Sequence, residues 1–266
     1  MSVTLDHGTA PLLVSMPHIG VDIPPGLRGD YVPRALAVED TDWHLARLYG
    51  WLPRLGASVL RPRFSRYVID LNRPPDDTPM YPGAANTELC PTRFFSGEPL
   101  YRDGREPSAS ERQRRREACW QPYHDALRDE LARIKAEHGF VLLWDAHSIR
   151  SEIPWLFDGV LPGLNIGTAD GASADATIAR AVADAAARHA GVSHVLNGRF
   201  KGGYITRHYG SPASHVHAVQ LEMCQSLYMS EQPPYDYDEA RAARIQPVVR
   251  GMLAAALDAC KALYGR

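Results

Sequence analysis

Short apolar runs alternate with amphipathic segments along nearly the whole chain, and this alternation constrains the fold more than any single motif. Apolar runs typical of strands occupy residues 11–18, 57–64, 66–73, 140–147, 163–168, 193–198 and 217–223. Helical spacing predicts helices at about 41–52, 108–138, 173–190 and 238–264, with Pro122 as an expected kink. The sequence therefore predicts an α/β fold, in which helices flank a mixed, mostly parallel sheet.

Length and charge limit the class of protein further. A chain of 266 residues predicts one domain, residues 1–266, and its formal net charge of −2 supplies no field that gathers nucleic acid. The basic stretch 112–117 is expected to be a solvated helix face. No nucleic-acid partner is predicted, and the oligomeric state is left open.

The four cysteines form no CxxC pair, which disfavours a disulfide scaffold and a structural zinc site. The N-terminal residues lack a basic region followed by an apolar stretch, as a secretory signal would have. No run in the sequence reaches the roughly 18 consecutive apolar residues of a membrane span. We therefore expect a cytoplasmic protein without a membrane partner.

Polar residues stand at the carboxyl ends of several predicted strands. They are His18, Asp70 to Arg73, Asp145, His147 and Glu222. Open α/β sheets place their ligand crevice at this edge, so we expect these groups to share one site. The long segment 74–107, rich in Pro, Gly, Thr and Asn, predicts a functional loop.

Dispersed His, Asp and Glu residues are typical of a metal site that folding assembles, and the GxSxG, GxxxxGK[ST], GxGxxG and HExxH motifs are absent from the sequence. His18 is either a ligand or a hydrogen-bonded turn histidine, and His147 is either a ligand or a core histidine bonded to Asp145. Asp40 and Asp42 are also common helix-start acids. Glu222 lies inside an apolar run, where a carboxylate is costly unless it is paired or catalytic, which favours a general base.

Two arginines flank the run YVIDLN. Arg66 and Arg73 can each bind a carboxylate or an oxyanion, or form structural pairs with Asp70 or Asp76. Further along, a Gly-Gly pair is surrounded by basic residues, which suggests an anion-binding flap or a solvated basic loop: Arg199, Lys201, Arg207 and His208.

Six segments occur in an order that resembles the N-formylglutamate amidohydrolase family over nearly the whole chain: SMPHIG, DTDWHLARLY, SRYVIDLNR, WDAHS, GGYITRHYG and QLEM. The resemblance implies a zinc carboxypeptidase-like (phosphorylase/hydrolase-like) fold, related also to that of the aspartoacylases. It also implies a zinc ion, or another divalent metal, as cofactor.

The resemblance assigns roles to particular residues. It implies substrate-carboxylate binding by Asn72 and Arg73, polarisation of the scissile carbonyl by Arg66, a metal-ligand role for His147 and a general-base role for Glu222. His18 is expected to be the first metal ligand. Arg207 and Lys201 are expected to help bind the two carboxylates of the substrate.

The second metal ligand departs from the carboxypeptidase pattern, which has Glu three residues after the first His. That position holds Val21 here, with Asp22 displaced by one residue. We expect Asp42 to be the ligand, with Asp40 and Asp22 as alternatives.

The activity implied by the resemblance is metal-dependent hydrolysis of N-formyl-L-glutamate to formate and L-glutamate, a step of histidine degradation. The alternative is a deacylase of the same fold that acts on another N-acyl amino acid. The expected partner is therefore a small-molecule N-acyl amino acid.

Overall fold

A seven-stranded sheet forms the centre of the computed structural model, which describes residues 1–80 and 87–265. Its strand order is β1-β3-β2-β4-β7-β5-β6. The strands are β1 (Val3–Asp6), β2 (Leu12–Ser15), β3 (Ser58–Pro62), β4 (Val141–Ile149), β5 (Leu164–Gly167), β6 (His194–Leu196) and β7 (Val216–Cys224).

Strand direction confirms the predicted mixed, mostly parallel sheet. The pairs β2–β3, β2–β4, β4–β7 and β5–β6 are parallel. The pairs β1–β3 and β5–β7 are antiparallel. Because β2, β4 and β7 are parallel neighbours, their carboxyl ends lie at one edge of the sheet.

Six α-helices accompany the sheet in the described part of the chain: α1 (Leu45–Leu48), α2 (Ala109–Arg115), α3 (Gln121–His138), α4 (Ala176–Ala187), α5 (Tyr204–Tyr209) and α6 (Glu239–Leu263). Ser108 caps α2, since its side chain accepts a hydrogen bond from the amide of Glu111. A π-helical turn, Arg116–Trp120, joins α2 to α3.

Strand β4 is buried along its whole length, as expected for a central strand covered on both faces. Leu142 and Trp144 pack in the cluster that includes residues of α4 and α6. Leu143, on the opposite face, packs in the cluster that includes residues of α3. Side chains alternate along a strand, so Asp145 and His147 share the α3 face with Leu143 and continue it toward the carboxyl edge.

Two predicted elements differ from the structure. Residues 66–73 form turns and not a strand, because their apolar side chains pack with α3 as loop residues. The predicted helix 41–52 is reduced to the short α1, which follows a left-handed residue at His44. The structure also adds an edge strand, β1, that apolar patterning does not reveal.

Three further expectations concern the loop 74–107, the cysteines and membrane-spanning helices. The predicted loop 74–107 has no helix or strand in its described part, and its residues 81–86 lie outside the described residues. All four cysteines are free and buried. Within residues 1–80 and 87–265, no helix is long and apolar enough to cross a membrane.

Candidate active site with a candidate metal centre

Three predicted ligands meet at the carboxyl edge of the sheet. His18 follows β2, Asp42 lies in the loop before α1, and His147 lies near the end of β4. All three are buried, and one ligand atom from each lies within 4.8 Å of the others. The Nδ1 atoms of His18 and His147 lie 3.9 Å and 3.3 Å from Asp42 Oδ2. This is a donor set of two imidazoles and one carboxylate, which divalent metals accept.

Asp42 is not a helix-capping acid. The residue before α1 is His44, and no side chain caps that helix. The amide of Asp42 instead donates to the carbonyl of His18 over 3.1 Å, which fixes the loop against the first histidine. Asp42 Oδ2 is buried without a hydrogen-bond partner. A buried carboxylate oxygen without a partner is costly, and a bound cation would remove that cost.

The other ring nitrogen of each histidine contacts a buried aspartate. His18 Nε2 lies 2.7 Å from Asp70 Oδ1, and His147 Nε2 lies 3.2 Å from Asp145 Oδ2. Metal-binding histidines commonly use the second nitrogen in this way, because the carboxylate fixes the tautomer and the ring orientation. In His18 the proton then belongs on Nε2, and the Nδ1 lone pair faces Asp42.

Asp70 holds three neighbouring groups. Besides His18, its carboxylate accepts from Arg66 Nη2 over 2.6 Å and from the amide of Asn72 over 2.9 Å. Burial opposes ionisation of Asp70, but His18 and Arg66 outweigh it and hold the pKa of this carboxyl well below its usual range. Arg66 thus forms the structural pair with Asp70, and it also lines the pocket.

Asp145 is the corresponding partner of His147. Its Oδ1 accepts from Ser15 Oγ over 3.1 Å, and its Oδ2 accepts from Thr206 Oγ1 over 3.2 Å. Asn72 Nδ2 lies 3.0 Å from His147 Nε2. These contacts join β2, β4 and α5 around one buried carboxylate.

Glu222 is buried beside this cluster. It lies in register with His147 across the parallel pair β4–β7, so both side chains project from the same face. Its Oε1 is buried without a hydrogen-bond partner. Burial, reinforced by the charge of Asp42, raises the pKa of Glu222 to about 8.

The pKa values of His18 and His147 shift in opposite directions because different charges surround the two rings. Burial, together with the charge of Arg66, lowers the pKa of His18. Burial has the same effect on His147, but Asp145 and Asp42 outweigh it and raise the pKa of His147 well above its usual value. The buried carboxylates therefore favour positive charge at His147, as they would favour a metal cation.

The two alternative ligands lie in other contacts. The carboxylate of Asp40 accepts hydrogen bonds from Tyr67 Oη, the amide of Phe95 and Arg150 Nη2, over 2.7 to 2.9 Å. Asp22 forms an exposed pair with Arg63 at 2.7 Å. Neither belongs to the candidate metal cluster.

A pocket opens beside the cluster, and His18, Arg66, His147 and Glu222 line it. Its other polar lining groups include Asn72, Arg73 and Arg199, and its apolar lining includes Phe95, Ile149, Leu156 and Phe200. The Arg73 guanidinium donates to Thr87 O over 2.9 Å and to Thr87 Oγ1 over 2.7 Å. The lining of the pocket therefore combines cationic groups with apolar surface.

Two predicted substrate-binding residues lie apart from this lining. Lys201 Nζ pairs with Asp170 at 3.0 Å, and neither residue lines the pocket. Arg207 is exposed on α5 and donates to the carbonyl of Gly202 over 2.8 Å. From the same basic segment, the structure brings Arg199 to the pocket.

Sequence reasoning offered the pairing of His147 with Asp145 but missed the role of Asp70 as the partner of His18. A signal for Asp70 was present, since it lies close in sequence to the predicted site residues Asn72 and Arg73. The pairing of His18 with Asp70 spans 52 residues, however, and only the fold reveals it.

Glycines permit close approach at two points of the site. A Cβ at Gly20 would lie 2.2 Å from the carbonyl oxygen of Phe64, and one at Gly203 would lie 2.3 Å from Asn72 Nδ2. Gly20 thus lets the chain after His18 pack on the backbone at Phe64, and Gly203 makes room for the Asn72 amide.

At its carboxyl edge, the mixed sheet gathers a buried His-Asp-His cluster and a buried glutamate with one partnerless oxygen. This arrangement defines a class: an α/β enzyme with a candidate metal centre for hydrolysis. The particular family follows from comparison. A model of the N-formylglutamate amidohydrolase family matches residues 10–229, and the chain belongs to this family.

Relatives and solved structures agree with this membership. The chain is 52% identical over 255 residues to an N-formylglutamate deformylase of Pseudomonas putida, covering 96% of this chain and 95% of the relative. It is 53% identical over 251 residues to an N-formylglutamate deformylase of Pseudomonas aeruginosa, covering 94% of each. The crystal structure of an N-formylglutamate amidohydrolase from Ralstonia eutropha JMP134 superposes with a TM-score of 0.80 at 25% identity, over 98% of this chain and 97% of that chain.

Proposed function

We propose that this chain hydrolyses N-formyl-L-glutamate to formate and L-glutamate. Two curated relatives that share about half of its residues over nearly the full length carry the name of that activity. The observation that carries the chemistry is the juxtaposition of the buried Glu222, whose Oε1 has no hydrogen-bond partner, with the His18, Asp42 and His147 cluster. Hydrolysis of a formamide needs an activated water, a proton carrier and a group that stabilises the oxyanion.

The metal-holding residues in this proposal are His18, Asp42 and His147. Asp42 Oδ2 supports the assignment because it is buried without a partner while facing the Nδ1 atoms of both histidines. Two nitrogens and one carboxylate suit zinc, the proposed ion, and other divalent metals bind such sets as well. A divalent metal bound there would acidify a water molecule and polarise the formyl carbonyl.

Glu222 is proposed as the general base. Its carboxylate would take a proton from the attacking water while the water oxygen bonds to the formyl carbon. When the C–N bond breaks, Glu222 would return that proton to the departing amine of glutamate. A partnerless oxygen is suited to this exchange because no competing donor must first be displaced.

Arg66 is proposed to stabilise the oxyanion. One of its Nη atoms donates to Asp70, and its guanidinium lies 4.5 Å from the centre of the Phe95 ring. These two contacts hold a buried cation in a fixed orientation at the pocket wall, so little reorganisation is needed as negative charge develops.

Cationic pocket groups are proposed to bind the two substrate carboxylates. Arg73 and Asn72 would hold one carboxylate, and Arg199 lies in the lining to hold the other. Asn72 has a second task, because its Oδ1 accepts from the amide of Ile205 over 2.8 Å. Lys201 and Arg207 stay predictions as substrate-binding residues.

Formate release by the purified protein tests the function directly. N-formyl-L-glutamate is supplied to the protein as isolated, after chelation, and after zinc is restored. We expect activity that disappears with chelation and returns with zinc. Faster turnover of N-acetyl- or N-succinyl-glutamate than of the formyl substrate would overturn the assignment in favour of another N-acyl amino acid.

A further inference from the structure

The segment 66–73 carries the densest set of proposed site residues, yet it belongs to no strand. It contains Arg66, Asp70, Asn72 and Arg73. Without ladder hydrogen bonds, its backbone must be held by other groups, since buried carbonyls require donors. The described contacts show which donors these are.

Three side chains from the α2–α3 helical unit donate to carbonyls of this segment. Arg115 Nη1 donates to the carbonyl of Val68 over 3.1 Å. His124 Nε2 contacts the carbonyl of Leu71 at 2.9 Å, and Trp120 Nε1 donates to the carbonyl of Arg73 over 3.0 Å. Successive parts of the segment are thus held by one helical unit.

The π-helical turn explains how these side chains reach one face. In an unbroken α-helix, residues five apart point about 140° away from each other. Arg115 and Trp120 are separated in this way, and the wider turn Arg116–Trp120 lies between them. The extra residue of a π turn corrects the rotation by about 100°, so Trp120 joins the face of Arg115 and His124.

Aromatic packing fixes the donors in place. The Trp120 and His124 rings stack with centroids 3.7 Å apart, and Tyr209 stacks on the other side of His124 at 5.8 Å. Because the carbonyl of Leu71 can only accept, His124 carries its proton on Nε2, and Nδ1 accepts from Tyr209 Oη at 3.0 Å. Burial lowers the pKa of His124 to about 4, which keeps the ring neutral.

We propose that Arg115, Trp120 and His124 are positioning residues that hold the segment 66–73 in its substrate-binding form. None of the three is among the residues that line the pocket or form the candidate metal cluster. They act through the backbone carbonyls of Val68, Leu71 and Arg73. The substrate-binding role of Arg73 in this inference rests on the proposed function. That the three side chains hold the backbone of 66–73 rests on the described hydrogen bonds alone.

The first test is Trp120→Phe, which keeps a ring to stack on His124 and removes the N–H donor. We expect KM for N-formyl-L-glutamate to rise about fivefold, as for a lost hydrogen bond, with kcat changed less than about twofold. An unchanged KM would overturn the role of Trp120.

The second test uses a pair of variants at His124. His124→Phe keeps the stack and loses the donor to Leu71, so KM is expected to rise by a similar factor. His124→Gln restores a terminal N–H donor and is expected to recover part of the loss. A Gln variant no better than Phe would show that the ring shape matters and the hydrogen bond does not.

Leu127→Ala is the matched control for stability. Leu127 is a buried α3 residue of the same core cluster with no bond to the segment. Its loss should lower Tm while KM stays unchanged. A rise in KM in this control would mean that general loosening of the helix explains the other variants.

Hydrogen exchange separates this proposal from the proposed activity. Trp120→Phe and His124→Phe should speed exchange in a peptide covering 66–73 more than Leu127→Ala does. Exchange no faster than in the control overturns the positioning proposal even if the wild type releases formate. Faster exchange in a wild type that releases no formate would leave positioning supported and overturn the activity.

Discussion

Glu222 and His147 lie in register on the adjacent parallel strands β7 and β4, so the proposed base and a proposed ligand project from one face of the sheet. Their relative placement is set by strand hydrogen bonds and not by a mobile loop. Sites built on strands hold catalytic groups more accurately than sites built on loops. The spacing between the proposed ligand His147 and the proposed base Glu222 is therefore set by the sheet.

Replacing Glu222 by Gln tests this division of roles. The amide keeps the shape of the side chain but cannot accept and return the proton, so kcat should fall by about 10²- to 10⁴-fold. Zinc content, measured by mass spectrometry after gel filtration, should match that of the wild type. Equal loss of zinc and activity would instead place Glu222 among the ligands.

Zinc content of single variants identifies which of Asp22, Asp40 and Asp42 is the second metal ligand. Asp42→Asn should lose most of its zinc, because it removes the anionic donor of the cluster. Asp22→Asn should keep both zinc and activity, since Asp22 pairs with Arg63 at the surface. Full zinc occupancy in Asp42→Asn would contradict the assignment.

Asp40→Asn is the control for loss of a buried carboxylate outside the cluster, to be compared with Asp42→Asn. It disturbs the hydrogen bonds from Tyr67, Phe95 and Arg150 without touching the cluster. We expect the free energy of unfolding to fall by about 1–2 kcal/mol, and Tm with it by a few degrees, while the zinc content stays unchanged. Loss of zinc at an unchanged Tm would make Asp40 a ligand.

Local sequence patterns predicted the elements that periodicity governs. The buried strand β4 and the long helices α3 and α6 show apolar spacing that requires no knowledge of their neighbours. The same argument failed at 66–73, where an apolar run packs against α3 as a loop and its carbonyls bond to side chains. Periodicity does not report which donor satisfies a carbonyl.

The candidate site was predictable where its residues end strands. His147 and Glu222 belong to this group, and so does His18 just beyond β2. Of the basic segment, the residue that lines the pocket was not singled out, because Arg199, Lys201 and Arg207 lie within nine residues of one another. Which of them reaches the pocket depends on the path of the chain between β6 and α5, and that path is a tertiary property.

Arg199 is expected to select for the second carboxylate of the substrate. Arg199→Gln should raise KM for N-formyl-L-glutamate about tenfold or more, because a charged hydrogen bond is lost. KM for N-formyl-L-glutamine, which lacks the side-chain carboxylate, should change little. The exposed Arg188→Gln is the matched control for loss of one positive charge. An equal rise in KM for both substrates would rule out recognition of the side-chain carboxylate.

Zinc binding should release protons. Without metal, the pKa of His147 lies well above its usual 6.5 and that of Glu222 is about 8, so both are protonated at pH 7. Zinc displaces the proton on His147 and its charge lowers the pKa of Glu222, so zinc affinity should rise with pH from 6 to above 8. Calorimetry in buffers of different ionisation enthalpy should report about one to two protons released per zinc. Zinc affinity independent of pH would contradict the charge state assigned to His147.

The buried carboxylate of Glu130, which lies outside the site, links α3 to the loop between β1 and β2. Glu130 Oε1 accepts from Arg133 Nη2 over 2.7 Å, and Oε2 lies 2.8 Å from His7 Nδ1. Ser58 Oγ also donates to Glu130, and the amide of Gly8 donates to Ser58 Oγ. Burial opposes ionisation of Glu130, but Arg133 and Ser58 outweigh it and lower its pKa below the usual 4.5.

This lowered pKa fixes the sign of the pH dependence of stability. The folded state binds the proton of Glu130 less tightly than the unfolded chain, so the contribution is complete above pH 4.5 and is lost as the pH falls through the folded-state pKa. Glu130→Gln should therefore lower the free energy of unfolding by about 1–3 kcal/mol at pH 7. In urea titrations the difference from wild type should narrow below pH 4.5, because protonation then removes the same charge from the wild type. A difference that stays constant down to pH 3 would show that Glu130 contributes by packing and not by charge.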